Sequence, residues 1–231
     1  MDEFIKLLDA FSRLAGAIIL PIVVFAVFWI FRVEINALLN RTDSLSIKGG
    51  PVDLTFSAKK AEAAGAIAAA VASKTVEGED AQTRAQTAQA AQAAASVVAA
   101  SVTPQAVQKA QFATVLWVDD VPNNNIYVRQ SLEALGVRFV LATSTEDGLD
   151  QARRQRFDAI ISDMGRGIDR TAGYKLLDEL RKAGIDSPYI IYAASTDPKR
   201  RADAKRRGAL DATNRPDELF QVVLSAIGSR P

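Results

Sequence analysis

From Thr114 onward, short runs of β-branched, aliphatic and aromatic residues alternate five times with amphipathic stretches, and this alternation limits the fold more than any other feature of the chain. Strands are predicted at 114–118 (TVLWV), 137–142 (VRFVLA), 158–162 (DAIIS), 189–193 (YIIYA) and 209–213 (ALDAT), with helices at 123–135, 145–155, 172–183, 197–207 and 216–228. Strands joined through helices run parallel, because the crossover carries the chain back to the end of the sheet at which the preceding strand began. Their nearly continuous apolar character fits strands covered on both faces. The fold class is therefore α/β, with a doubly wound, five-stranded parallel sheet.

Such sheets place ligand sites at the carboxyl ends of their strands. Asp119 and Asp120 directly follow the first strand and Asp163 follows the third, so three carboxylates converge on one edge. Their mutual repulsion calls for a hard divalent cation with oxygen ligands, most naturally Mg2+. The chain contains no histidine and no cysteine, which speaks against zinc and removes a histidine base, a thiol nucleophile and disulfides. A purely structural use of the same acids stays open, with Asp119 or Asp120 capping the next helix and Asp163 in a turn. Asn123, Asn124 and Asn125 are expected to cap the start of that helix.

These residues carry a resemblance. VLWVDD, IISDM and RRGALDATNRP resemble the first strand with its acidic pair, the third strand with its phosphoacceptor, and the fifth strand leading to a basic residue before proline, in receiver domains of the two-component response-regulator family. The resemblance covers 114–231 and implies a flavodoxin-like receiver fold. It further implies Asp120 and Asp163 as Mg2+ ligands, Asp119 supporting the metal through water, the Gly165 carbonyl completing the protein's share, and Asp163 as phosphoacceptor. Two positions depart from the family. Ala193 stands where receivers carry Thr or Ser, with Ser195 two residues too late, and Arg215 replaces the lysine before proline. The loop after Asp163, MGRGIDRTAGY, is about two residues longer than usual and carries Arg166 and Arg170.

The first half is organised differently. Residues 14–31 form an uncharged apolar run of 18, about 27 Å as a helix, so 14–32 is predicted to be a single membrane-spanning helix. Pro21 is tolerated in such a helix, and Trp29 suits its interfacial end. Residues 1–13 read as an interfacial amphipathic segment, with Phe4, Ile5, Leu7, Leu8 and Phe11 on one stripe. Two cations precede the span (Lys6, Arg13) and three follow it closely (Arg32, Arg41, Lys48), a margin of one charge that favours a cytoplasmic C-terminal portion. Residues 33–57 are a juxtamembrane segment with a short β-hairpin around Gly49-Gly50-Pro51. The alanine-rich stretch 58–111 is predicted to be a helical spacer, with breaks near 77–80 and at Thr103-Pro104. Its rival role is a self-associating, coiled-coil-like stalk that would make a homo-oligomer. Residues 112–231 form the receiver-like domain.

The net charge of +1 gives no field for nucleic acid. The cluster Lys199, Arg200, Arg201, Lys205, Arg206 and Arg207 reads first as a solvated helix face, and no nucleic-acid-specific role is expected. No paired catalytic motif suggests an enzyme. The leading expectation is a membrane-anchored signal-transduction protein, with a kinase and other proteins as partners and the lipid bilayer contacted through 14–32. One rival is a degenerate receiver that serves as a binding scaffold. A weaker one is an enzyme acting at the acidic edge on a phosphorylated or nucleotide substrate.

Overall fold

The computed structural model describes residues 51–73, 81–194 and 197–229. In chain order, α1 (Pro51–Ala72), α2 (Ala81–Ser101) and α3 (Pro104–Ala110) precede a sheet of β1 (Thr114–Val118), β2 (Arg138–Ala142), β3 (Ala159–Ser162), β4 (Tyr189–Tyr192) and β5 (Asp211–Thr213). The strands are connected through α4 (Ile126–Glu133), α5 (Thr145–Arg154), α6 (Ala172–Lys182) and α7 (Pro198–Arg206), and α8 (Pro216–Gly228) closes the fold. All neighbouring pairs are parallel, in the order β2-β1-β3-β4-β5.

Alternation along each strand builds two cores. Val115, Trp117, Ile161 and Ile190 pack with Val128 and Leu132 of α4 and with Leu219 and Val223 of α8. Leu116, Val118, Ile160 and Ile191 point the other way, against Leu176 and Leu180 of α6 and Ala204 of α7. Local signals set the helix ends. Ser144 caps α5 by accepting from Asp147 N at 3.1 Å, and Asp197 caps α7 by accepting from Arg200 N at 2.8 Å with Pro198 in the first turn. Thr103 does the same for α3, which explains the break expected at Thr103-Pro104.

Several boundaries differ from expectation. The helix predicted from 123 opens as a 3-10 turn, Pro122–Asn125, and α4 begins at Ile126. The asparagines do not cap it: Asn125 occupies the N-cap position, but its amide is drawn to Asp119 instead. The fifth strand starts at Asp211 because Ala209 is consumed in closing α7, its N–H donating to Ala204 O at 3.0 Å after Gly208 at φ 93°.

Larger differences lie before the sheet. The second arm of the expected β-hairpin is helical, since α1 starts at Pro51. Proline suits a first helical position, and the alanine-rich sequence behind it propagates the helix. The hairpin's first arm lies outside the described residues, as does the break near 77–80. The stretch expected as a spacer is instead a third layer of the same compact body, 51–231. Helix α1 touches α4 and α8, α2 and α3 touch α8, and α1 and α2 pair with each other. Ala63, Ile67 and Ala70 of α1 and Ala94 and Val98 of α2 are buried in the core of α4 and α8. Alanine's small side chain lets helices approach closely, so this segment packs although each residue buries little area. Among the described residues no helix is long and apolar enough to cross a membrane, and the span expected at 14–32 lies outside them.

Candidate functional site

The register of β1 with β3 puts Val118 beside Ser162, and the next residue of each strand carries a carboxylate. The ladder continues into both acids: Asp119 N donates to Ala142 O and Asp163 N to Val118 O, each at 2.9 Å. Asp120 completes the group, and one oxygen of each of the three acids lies within 4.8 Å of the others. At that separation and an effective dielectric of about 20, each pair repels by about 3.5 kcal/mol.

The three acids are not equivalent. Asp119 is buried and its carboxylate is fully engaged, accepting from Val121 N (2.9 Å), Asn125 Nδ2 (2.8 Å) and Trp117 Nε1 (3.3 Å). The exposed Asp120 accepts at Oδ2 from Gly167 N (2.8 Å), and Asp163 accepts at Oδ1 from Met164 N (2.8 Å). Asp120 Oδ1 and Asp163 Oδ2 have no donor among the described residues. The three acids thus converge, while neither Asp119 nor Asp120 caps the next helix as the structural alternative expected: the 3-10 turn and α4 have no side-chain cap, and Asp119 instead accepts from Val121 N two residues on.

Burial pushes the Asp163 carboxyl above the ordinary carboxylate range. The Met164 N–H opposes that shift, negative Asp119 adds to it, Arg166 opposes it and Asp120 adds to it.

The loop after β3 supplies a residue whose role the sequence did not reveal. Arg166 and Asp169 exchange backbone hydrogen bonds of 2.9 and 3.0 Å around Gly167-Ile168, with Gly167 at φ 55°, so the loop closes in a tight turn. That turn drives Arg166 inward, where it is buried. Its Nη1 donates to Ser162 Oγ (2.7 Å) and Asp163 O (3.0 Å), and its Nη2 to Thr145 Oγ1 (2.9 Å) and Ala172 O (2.8 Å). The guanidinium hydrogen-bonds to hydroxyls and carbonyls, not to the three carboxylates, so the acids keep their mutual repulsion. Gly173 permits this close assembly: a Cβ there would lie 2.8 Å from Asp163 O.

The other predicted residues sit as follows. The Gly165 carbonyl, two residues past Asp163, accepts no hydrogen bond among the described residues. Ala193 follows β4, its N–H donating to Thr213 O at 3.1 Å, and offers only a methyl group; Ser195 lies outside the described residues. Arg215 is not brought to the acids. Its Nη2 meets Asp217 Oδ2 at 2.6 Å and its Nη1 meets Glu218 Oε1 at 3.5 Å, both acids in the first turn of α8. The basic face expected on α7 is partly neutralised: Arg201 pairs with Asp211 through Nε and Nη2, each at 2.7 Å, and Lys205 reaches Asp211 at 3.3 Å.

The donors at the acidic edge are all oxygens, and two of those oxygens accept no hydrogen bond among the described residues. This fits a hard divalent cation such as Mg2+. Residues 115–223 match the family of the response regulator receiver domain, and the C-terminal segment of the chain is identified as one. Similar solved structures include a Francisella response regulator receiver domain, with 24% identity, covering 50% of this chain and 97% of that one, at a TM-score of 0.46. The chemotaxis response regulator CheY4 of Vibrio cholerae shares 25% identity over 50% of this chain and 98% of its own, at a TM-score of 0.43. Response regulator TrrA of Thermotoga maritima, solved in complex with Mg(2+)-BeF, shares 24% over 50% of this chain and 99% of its own, also at 0.43. No curated protein sequence matches the chain.

Proposed function

We propose that this chain, whose residues 115–223 form a response regulator receiver domain, is a membrane-anchored signal-transduction protein that accepts a phosphoryl group on Asp163 and acts through altered contacts with other proteins. One observation carries the reading: at the acidic edge Asp119 accepts from three donors, while Asp120 Oδ1 and Asp163 Oδ2 accept from none among the described residues. Asp120 and Asp163 would hold Mg2+, the Gly165 carbonyl would contribute a further oxygen, and Asp119 would act through its fixed charge and through water. When bound, the cation neutralises charge on the transferring phosphoryl oxygens. Asp163 Oδ2 attacks the phosphorus of the donor, the bond to the donor's leaving group breaks, and Asp163 becomes a mixed anhydride. The Met164 N–H holds the other carboxylate oxygen, and Arg166 fixes the backbone that carries it.

The phosphodonor of this reading is a kinase. The apolar run at 14–31 supports anchoring in the lipid bilayer, with the receiver domain in the cytoplasm. The test is intact-mass analysis of the full-length chain incubated with Mg2+ and a small acyl-phosphate donor, beside Asp163→Asn. The expected result is a mass gain of one phosphoryl group that requires both Mg2+ and Asp163. A folded protein that gains nothing would sink the phosphoacceptor reading. Release of the chain from membranes by alkaline carbonate would sink the anchor.

A second reading is favoured by Ala193 and by Arg215, which is engaged by Asp217 and Glu218. In it the domain is a degenerate receiver that binds a partner without phosphorylation. Partner capture that survives Asp163→Ala unchanged supports this reading, and loss of capture rejects it.

A further inference from the structure

On the sheet face opposite α1 and α2, between α6, α7 and the ends of β4 and β5, lies a cleft of about 640 Å³. Its base is made by Met164, Ile191, Ala193 and Ala212, and Tyr174 lines one wall. The two alanines end in methyl groups where larger side chains would fill the space, so the room is built into the sheet edge.

The rim is cationic. Arg170, Lys199, Arg200 and Arg206 line it, against the carboxylates of Asp197 and Asp203. Both acids are already engaged. Asp197 caps α7 and meets Arg200 Nε at 3.5 Å, while Asp203 meets Arg206 at 3.0 Å and Arg207 at 3.4 Å. Arg170 and Lys199 have no acidic partner among the described residues. The contrast lies within the same helix, since Arg201 and Lys205 on the side toward α8 are matched by Asp211 and Glu218. Positive charge left unmatched therefore gathers around the cleft.

A small inorganic anion would use the rim and leave the apolar base idle, and an uncharged apolar ligand would do the reverse. A cleft of this volume is ordinary for a small-molecule ligand site. We propose that it binds a phosphorylated small molecule with an aromatic or apolar body, of nucleotide size. The phosphates sit among Arg170, Lys199 and Arg200, and the body lies over Ala193 and Ala212 beside Tyr174. The cleft adjoins the acidic edge at Met164 and Ala193 but holds the anion on its own rim cations, so binding does not require phosphorylation of Asp163.

The test is equilibrium dialysis of the purified full-length chain with ADP and GDP, in EDTA so that no metal-bridged nucleotide is captured by the acids. Pyrophosphate serves as the charge without the body and adenosine as the body without the charge. The expected result is that a nucleoside diphosphate binds at least tenfold tighter than either control. Affinity falls at least tenfold in Arg170→Ala/Lys199→Ala, whose side chains are exposed and whose loss leaves the core intact. It also falls in Ala212→Phe, which fills the base. Three results would each overturn the proposal: no diphosphate binding below millimolar concentration, pyrophosphate binding as well as ADP, or affinity unmoved by the double rim substitution.

Discussion

Ile67→Ala separates a docked alanine-rich layer from a free spacer by the sign of its effect. Ile67 is 0% exposed in α1, flanked by Ala63 and Ala70 and set in the core of α4 and α8. Truncation removes most of an apolar side chain and leaves a cavity that these short neighbours cannot refill. Large-to-small changes at such sites cost about 2–5 kcal/mol, and about 3 is expected here. Alanine's better helix propensity returns only a few tenths of a kcal/mol. With a urea dependence of about 2 kcal/mol per molar, the unfolding midpoint falls by about 1.5 M. The assay is equilibrium urea unfolding of residues 51–231, followed by the fluorescence of Trp117, the only tryptophan in that stretch, and by far-ultraviolet circular dichroism. Both probes should move together, because Trp117 shares a core with Ile67. A free spacer predicts an unchanged or slightly raised midpoint, and that outcome would refute the packed layer.

Two further perturbations address the site. Asp163 has a raised pKa in the folded state, so its charge costs stability at pH values above that raised value, and the cost fades as pH falls through it and the carboxyl takes up a proton. Asp163→Asn should therefore stabilise the protein at pH 7, with the gain shrinking toward pH 4 in urea titrations without metal; a gain that is constant with pH would contradict this. Arg166→Met leaves Thr145 Oγ1, Ser162 Oγ and two carbonyls without their buried donor, and should cost about 3 kcal/mol, or roughly 9 °C in Tm. Arg166→Lys should not restore it, because one ammonium cannot span both ends of the fork; a loss below 3 °C for either variant would show that Arg166 does not hold the loop.

The receiver half was legible because its signals agree. Continuous apolar runs such as TVLWV and YIIY fill buried strands, caps such as Ser144 and Asp197 mark helix starts, and a doubly wound parallel sheet has one carboxyl edge on which acids after β1 and β3 must meet. The alanine-rich half carries no such agreement. Alanine occurs on every face of α1 and α2, so no stripe distinguishes buried Ala63 and Ala94 from their exposed neighbours, and only the few larger residues, Ile67 and Val98, could have marked the docked side. The start of α1 was hidden differently, since Gly49-Gly50-Pro51 signals a turn whether a strand or a helix follows.

Within the site, the positions of the acids follow from topology, but the state of each oxygen does not. Whether Asp119 is free depends on Trp117, Asn125 and the Val121 N–H, and no spacing rule reports that these three aim at one carboxylate. The turn of Arg215 toward α8 did have a signal: Asp217 and Glu218 follow it within three residues, close enough to compete for its guanidinium. With Arg215 held there and a methyl group at Ala193, the Asp163 carboxylate accepts from the Met164 N–H among the described residues, and its backbone carbonyl accepts from Ser162 Oγ and from Arg166, which continues to Thr145 of α5 and Ala172 of α6. Those contacts feel a change of charge on Asp163 first. The Arg166–Asp169 turn that buries Arg166 thus ties the acidic edge to two helix starts, in a domain that has no hydroxyl at Ala193 to do so.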